Sequence, residues 1–191
     1  MNYSQVSNYL QSVNGFMGSE AQREFMFNLG KMTNKAAEIG SYKGLSASIV
    51  VLGMISSNKL EVPSYYCIDT FESSNIELND ESTLNEFTNA LKNIDQYGIV
   101  KVLKGYSTDK EILELVPNDL DWIYIDGSHE TDDVIKDIEL YVDHIKDEGL
   151  LLFHDHTWES VIKAINKKVE DGLISLVCFF DDFGVYKKVK K

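Results

Sequence analysis

Short unbroken apolar runs alternate along this chain with longer stretches whose apolar positions recur every three or four residues. The first pattern marks strands buried on both faces, and the second marks amphipathic helices. Runs at Ala36–Ile39, Tyr65–Ile68, Ile99–Leu103, Trp122–Ile125 and Leu150–Phe153 predict strands. Between them, Ala21, Phe25, Met26 and Leu29 share one face of a helix over Ser19–Met32. Ser19 is its N-cap, with Gln22 three residues on, as in a capping box. Further helices are predicted over Ser46–Ser56, Thr83–Ile94, Asp109–Leu115, Asp132–Ile145 and Ser160–Glu170, with Gly149 as the left-handed residue closing the fifth. The acidic, Ser/Asn-rich segment Glu72–Glu81 reads as a loop, either a lid or a solvated surface segment. Two last strands, Ile174–Phe180 and Val185–Val189, are joined by the polar turn Phe180-Asp181-Asp182-Phe183-Gly184, which reads as a hairpin.

Strands alternating with helices specify an α/β fold: a doubly wound sheet, mostly parallel, with helices on both faces. The hairpin makes the last strand of a seven-stranded sheet antiparallel. Prolines occur only at Pro63 and Pro117, and no Gly/Ser/Pro-rich linker divides the chain. The expectation is a single domain over residues 1–191, with 1–35 as an N-terminal helical segment.

The net charge of −13 argues against nucleic acid and against anionic membrane surfaces. Cys67 and Cys178 lie far apart in apolar runs and read as buried, reduced thiols. The start of the chain lacks a basic-then-apolar leader, and the apolar stretch Ile49–Ile55 is too short to span a bilayer. A cytoplasmic protein is expected.

The candidate chemistry lies where the strands break. Trp122–Ile125 breaks into Asp126-Gly127-Ser128-His129, and Leu150–Phe153 into His154-Asp155-His156. In an open parallel sheet, ligands sit beyond the carboxyl ends of the strands. The turn Glu38-Ile39-Gly40-Ser41-Tyr42-Lys43-Gly44-Leu45-Ser46 follows the first strand. Gly40 and Gly44 permit tight turning and close ligand approach, and the helix start after them favours an anionic or polar group. The G-x-x-x-G spacing is neither the dinucleotide nor the phosphate-loop fingerprint, and a plain strand-to-helix turn would also use it. Glu38 is an acid inside a buried strand, which is costly unless it is paired. Asp69, ending the second strand, is placed to accept bonds from ribose hydroxyls, or to cap a turn.

Glu38-x-Gly40-x-x-x-Gly44-x-Ser46, Ile68-Asp69, Gly105-x-Ser107, Ile125-Asp126-Gly127-x-His129 and Phe153-His154-Asp155 occur in that order. Together they resemble the class I S-adenosylmethionine-dependent methyltransferases. Within those they resemble the macrocin-type O-methyltransferases and cephalosporin-hydroxylase-like proteins. The resemblance runs from about Gly15 to Lys168. Gly15-Phe16-Met17 resembles the segment that lies near the methionine end of the cofactor.

The resemblance implies a Rossmann-like fold and S-adenosyl-L-methionine as cofactor. It implies contacts to that cofactor from Glu38, Gly40, Ser41, Tyr42, Gly44, Ser46, Asp69, Thr70, Gly105, Ser107, Asp126 and Gly127. It also implies a divalent cation, Mg2+ or Mn2+, at Asp126, His154 and Asp155. His129 would be the general base and Asp126 its catalytic companion. The chain departs from the family pattern at Tyr106, Glu130-Thr131 and Glu148-Gly149. It departs also at His154, which stands where the family has an acid and is a softer donor.

Each of these residues also has a plain structural reading. Asp126 can cap a helix, His154 can be a satisfied core histidine, and His156 can be a surface residue. His144 reads as structural, at a helix end where the dipole favours a cation. Trp158 can wall an acceptor site or simply pack. The activity implied is metal-assisted O-methylation of a hydroxyl on a small molecule, a sugar or another metabolite. The competing readings are a cofactor-binding but non-catalytic or accessory module of the same fold, and a nicotinamide-dependent oxidoreductase whose fingerprint is absent. A homodimer is one way to complete the acceptor pocket.

Overall fold

The computed structural model describes residues 2–15, 17–57, 59–72 and 80–190, excluding the side chains of residues 80 and 81. Phe16 of the approach segment and residues 73–79 of the acidic loop lie outside the described residues.

Two N-terminal helices, α1 (Tyr3–Leu10) and α2 (Glu20–Met32), precede the first strand. Alternation then runs through β1 (Lys35–Ile39), α3 (Leu45–Ile55), β2 (Ser64–Asp69), α4 (Asp80–Leu91), β3 (Val100–Lys104) and α5 (Lys110–Leu115). It continues through β4 (Leu120–Ile125), α6 (Thr131–Tyr141), β5 (Ile145–Phe153) and α7 (Glu159–Glu170), ending in the hairpin β6 (Ile174–Phe180) and β7 (Phe183–Lys188).

The strands form one seven-stranded sheet in the order β3-β2-β1-β4-β5-β7-β6. Every pairing from β3 to β5 is parallel. Strand β7 is inserted antiparallel between β5 and β6. The order reverses between β1 and β4, so their carboxyl ends flank the crevice where such sheets bind ligands.

The Ser19–Gln22 capping box is present and fixes the start of α2. Helix α3 is buried from Leu45 to Met54, as its nearly uninterrupted apolar sequence requires. Helices α2 and α3 pack backbone to backbone. A Cβ on Gly53 would lie 2.1 Å from the Phe27 carbonyl oxygen, and one on Gly30 would lie 2.5 Å from that of Val50. The core divides between the two faces of the sheet. Phe27, Ile49, Val50 and Tyr65 lie on one side, and Ile123, Ile138, Leu151 and Ile165 on the other.

Three local expectations are corrected. Helix α6 ends at Tyr141 and tightens into a 3-10 turn over Val142–His144, so Ile145 opens β5 rather than closing the helix. Glu148, with φ of 63°, takes the left-handed position expected of Gly149. Gly149 serves close packing instead, since a Cβ there would meet Ile145 Cγ2 at 2.4 Å and the Asp121 carbonyl at 2.8 Å. Cys67 is buried as expected, but Cys178 is exposed, because β6 is an edge strand. No helix among the described residues is long and apolar enough to cross a membrane.

Candidate functional site

The turn after β1 is held tightly against β4. The Gly40 amide donates to the Ile68 carbonyl at 2.9 Å, and the Asp126 amide donates to the Ile39 carbonyl at 2.9 Å. Gly40 has φ of 90°, and a Cβ on it would lie 2.1 Å from the Asp126 carbonyl oxygen. Only glycine fits both the conformation and the space. Gly44, also left-handed, leads into α3. Ser41 and Ser46 are buried beneath the turn.

Glu38 is fully buried and accepts a 2.7 Å hydrogen bond from the Tyr65 hydroxyl. Among the described residues its Oε1 has no partner in hydrogen-bond geometry. Burial pushes its carboxyl from the ordinary 4.5 up to about 7, and the side chains of Tyr65, Ser41, Ser46 and Cys67 temper the rise. An acid whose folded pKa is raised binds its proton more tightly when folded. The stability this confers is fullest below pH 4.5, is lost as pH rises to about 7, and is flat above. That difference amounts to about 3 kcal/mol. Glu38→Gln is therefore expected to melt higher than the parent at pH 8 and similarly at pH 4.5, by thermal denaturation across that range. An equal melting difference at both pH values would contradict the account.

Asp69 accepts from the Tyr42 amide at 2.7 Å and the Phe71 amide at 2.6 Å. It thereby ties the β1 turn to the end of β2 and fulfils the turn role weighed from the sequence. Thr70 accepts from the Glu72 amide. The Gly105 amide donates to the Asp69 carbonyl at 3.0 Å, which brings the β3 loop to the same rim. The Ser107 hydroxyl is directed elsewhere, donating to Asp137 on α6 at 2.6 Å.

The ends of β4 and β5 bring the predicted acids and histidines together. His154 Nδ1 lies 3.2 Å from Asp126 Oδ1 and 3.1 Å from Asp155 Oδ2. Asp126 also accepts from the Tyr124 hydroxyl at 3.0 Å, and burial pushes its carboxyl up against the opposing pull of His154. His129 Nε2 lies 2.6 Å from Asp155 Oδ2, and its ring packs on Trp158 with centroids 4.7 Å apart. Trp158 is therefore a packing partner of His129 that stays 52% exposed. Asp126, Ser128, His129 and His154 line a small pocket, with Gly127 at its base packed on Ile39.

His154 is buried, which disfavours its charged form. The carboxylates of Asp126, Asp155 and Asp182 outweigh that and push its pKa up to about 9. Asp182, on the β6–β7 turn, comes within 3.8 Å of His154 Nε2 and is a member of the site that sequence reading missed. The same turn is anchored by Gln22, which donates to Asp182, and by Ser19, which donates to Asp181 at 2.6 Å. His156 is not a surface residue: its Nε2 pairs with the Tyr186 hydroxyl at 2.7 Å under the Phe179 ring. His144 is structural, paired with the Val116 carbonyl.

One donor atom from each of Asp126, His154 and Asp155 lies within 4.8 Å of the others. The 3.1 and 3.2 Å from His154 Nδ1 to the two carboxylates are close to the about 3 Å that separates adjacent donors bonded at about 2.1 Å, so these residues could hold a metal. Two carboxylates and one imidazole suit Mn2+, Fe2+ or Zn2+ better than Mg2+. His129, paired to Asp155, would orient that carboxylate were an ion bound there.

The model of a family described as "Methyltransferase domain" matches residues 37–156, spanning β1 to the end of the acid and histidine cluster. The structure is similar to the "O-methyltransferase from Bacillus cereus in complex SAH", with a TM-score of 0.72 at 14% identity over 100% of this chain and 92% of that one. It is similar also to the "SAH-bound Podospora anserina methyltransferase PaMTH1", with a TM-score of 0.71 at 15% identity over 98% of this chain and 95% of that one. In sequence, "Uncharacterized protein R132" of Acanthamoeba polyphaga mimivirus is 30% identical over 145 residues, 70% of this chain. The match spans 58% of that relative's length. The matched segment contains the glycine turn, the acid ending β2 and the acid and histidine cluster, and with it the chain belongs to the methyltransferase domain family.

Proposed function

We propose that this protein transfers the methyl group of S-adenosylmethionine to a hydroxyl of a small molecule, with help from a divalent cation. The carrying observation is the convergence of Asp126, His154 and Asp155 across the sheet's switch point from the Gly40 turn. The structural neighbours bound to SAH support the cofactor. The finer kinship, to the macrocin-type and cephalosporin-hydroxylase-like subgroup, rests on the ordered motifs.

In this reading, the Gly40–Gly44 turn and the α3 start receive the amino-acid end of the cofactor, with buried Glu38 beneath. Asp69 and the Gly105 loop receive the nucleoside end. Asp126, Asp155 and His154 would hold the cation, which when bound would lower the pKa of an acceptor hydroxyl. With Nε2–H donated to Asp155, His129 keeps Nδ1 free to take the hydroxyl proton. The acceptor oxygen then forms a bond to the methyl carbon. The carbon–sulfur bond breaks and its electron pair stays on sulfur, leaving a neutral thioether. Little covalent chemistry is asked of the protein, so in-line positioning supplies much of the rate.

Incubation with methyl-labelled cofactor and a panel of sugars and other hydroxylated metabolites tests the reading. Label in a product whose ether bond survives mild base supports it, and no transfer to any acceptor with every divalent cation counts against it. The donor set makes a separate prediction. After chelation, Mn2+ is expected to raise the melting temperature more than Mg2+ at equal concentration, and His154→Asp to reverse that order. Equal shifts for the two ions in both proteins would contradict the metal assignment.

A further inference from the structure

Helix α6 reaches the rim of the candidate cofactor site through two side chains one turn apart. Asp137 accepts the Ser107 hydroxyl at 2.6 Å, and the Tyr141 hydroxyl donates to the Ser107 carbonyl at 2.8 Å. A single loop residue is thus gripped at both its side chain and its backbone. The neighbouring Gly105 amide is bonded to the Asp69 carbonyl, and the Tyr106 amide to Asp109 at 2.8 Å. The loop after β3 is therefore fixed at each successive residue. Tyr106 stays 59% exposed, with its hydroxyl 3.4 Å from Glu72 on the opposite rim.

We propose that Asp137 and Tyr141 are positioning residues that lock the Gly105–Ser107 loop in the shape that receives the nucleoside half of the cofactor. The inference rests on the methyltransferase reading and adds residues to it from helix α6. Asp137 is 3% exposed, and the groups acting on it are Ser107, Asp133 and Lys136, with no cation among the described residues in contact. Burial pushes its carboxyl up to about 6. A buried acid held without a cation lowers stability at neutral pH, so packing alone does not account for it. A carboxylate acceptor makes a stronger and more directional bond to Ser107 than a neutral group would, which explains an acid here.

The test is calorimetric titration of the full-length chain with S-adenosylhomocysteine and with methylthioadenosine, which lacks the amino-acid end. The variants are Ser107→Ala, Tyr141→Phe, Asp137→Asn and Asp137→Ala, each with its melting temperature measured without ligand. Ser107→Ala, Tyr141→Phe and Asp137→Ala are expected to bind both ligands about tenfold more weakly. Asp137→Asn, which keeps a neutral acceptor, is expected to lose less and to melt no lower than the parent at pH 7.5. The equal loss for the two ligands places the defect at the nucleoside end. Where Asp137→Ala fails to fold, Ser107→Ala and Asp137→Asn carry the comparison. Folded variants that bind as tightly as the parent overturn this inference and leave the methyltransferase reading standing. A parent chain that binds neither ligand overturns both.

Discussion

Replacing Asp126 by asparagine is expected to cut methyl transfer by about a thousandfold or more while the fold survives. The amide keeps the shape of the carboxylate and can still accept from Tyr124. What it loses is the negative charge that faces His154 at 3.2 Å and stands opposite Asp155. In the proposed mechanism that charge would help hold the cation, whose Lewis acidity would be worth several kcal/mol of barrier, or about three powers of ten in rate. The pairing lost to buried His154 is offset by Asp155 and Asp182, which still face it, and by removal of a carboxyl that burial already pushes up. The melting temperature should therefore stay close to that of the parent, and S-adenosylhomocysteine should still bind. Steady-state rates with any acceptor that turns over, set beside a melting curve, check both halves. A variant that retains more than a tenth of the parent rate would remove Asp126 from the chemistry.

Gly40→Ala is expected to be the most damaging single methyl group in the chain. It forces a side chain onto a residue with φ of 90° and sets the new Cβ 2.1 Å from the Asp126 carbonyl oxygen. Both obstacles are backbone, so neither can rotate away. The loops after β1 and β4 must part, which breaks the Asp126–Ile39 hydrogen bond and opens the crevice. Overpacking of this kind, added to the unfavourable dihedral, costs about 3 kcal/mol or more. Denaturant unfolding is expected to show that loss, and calorimetry a cofactor affinity at least about a hundredfold weaker. Gly98→Ala is the matched control: Gly98 also has positive φ, at 65°, but nothing lies within 4 Å of a Cβ there. It should cost only the dihedral penalty of about 1 kcal/mol and leave cofactor affinity unchanged. Similar losses in the two variants would show that the contact with Asp126 is unimportant.

Much of the sheet was legible because strands buried on both faces leave a strong local mark. The runs ending at Ile39, Ile125 and Phe153 stop where the polar site begins, so the break itself located Gly40, Asp126 and His154. The hairpin was readable from the turn Phe180–Gly184, and with it the antiparallel last strand. Asp182 was not readable. Its place beside His154 follows from insertion of β7 between β5 and β6, a long-range pairing that leaves no trace in the residues around it. The bond from the Ser107 hydroxyl to Asp137 was not readable either, because its partner lies 30 residues on, on another helix. Gly149 was read as a left-handed cap because glycine usually supplies that conformation. Here the missing side chain was needed for packing against Ile145, and Glu148 took the strained dihedral. His156 and Cys178 exchanged environments relative to expectation, since burial at the sheet edge depends on which strand lies outermost.

In the proposed reading the Gly40–Gly44 turn, with the acid ending β2, receives the methyl donor. Isothermal titration of the full-length chain with S-adenosylhomocysteine tests it most directly. One site per chain with micromolar affinity is expected, retained in Asp126→Asn and lost in Gly40→Ala. The absence of binding heat at millimolar ligand, by a chain whose melting curve shows it to be folded, would contradict it.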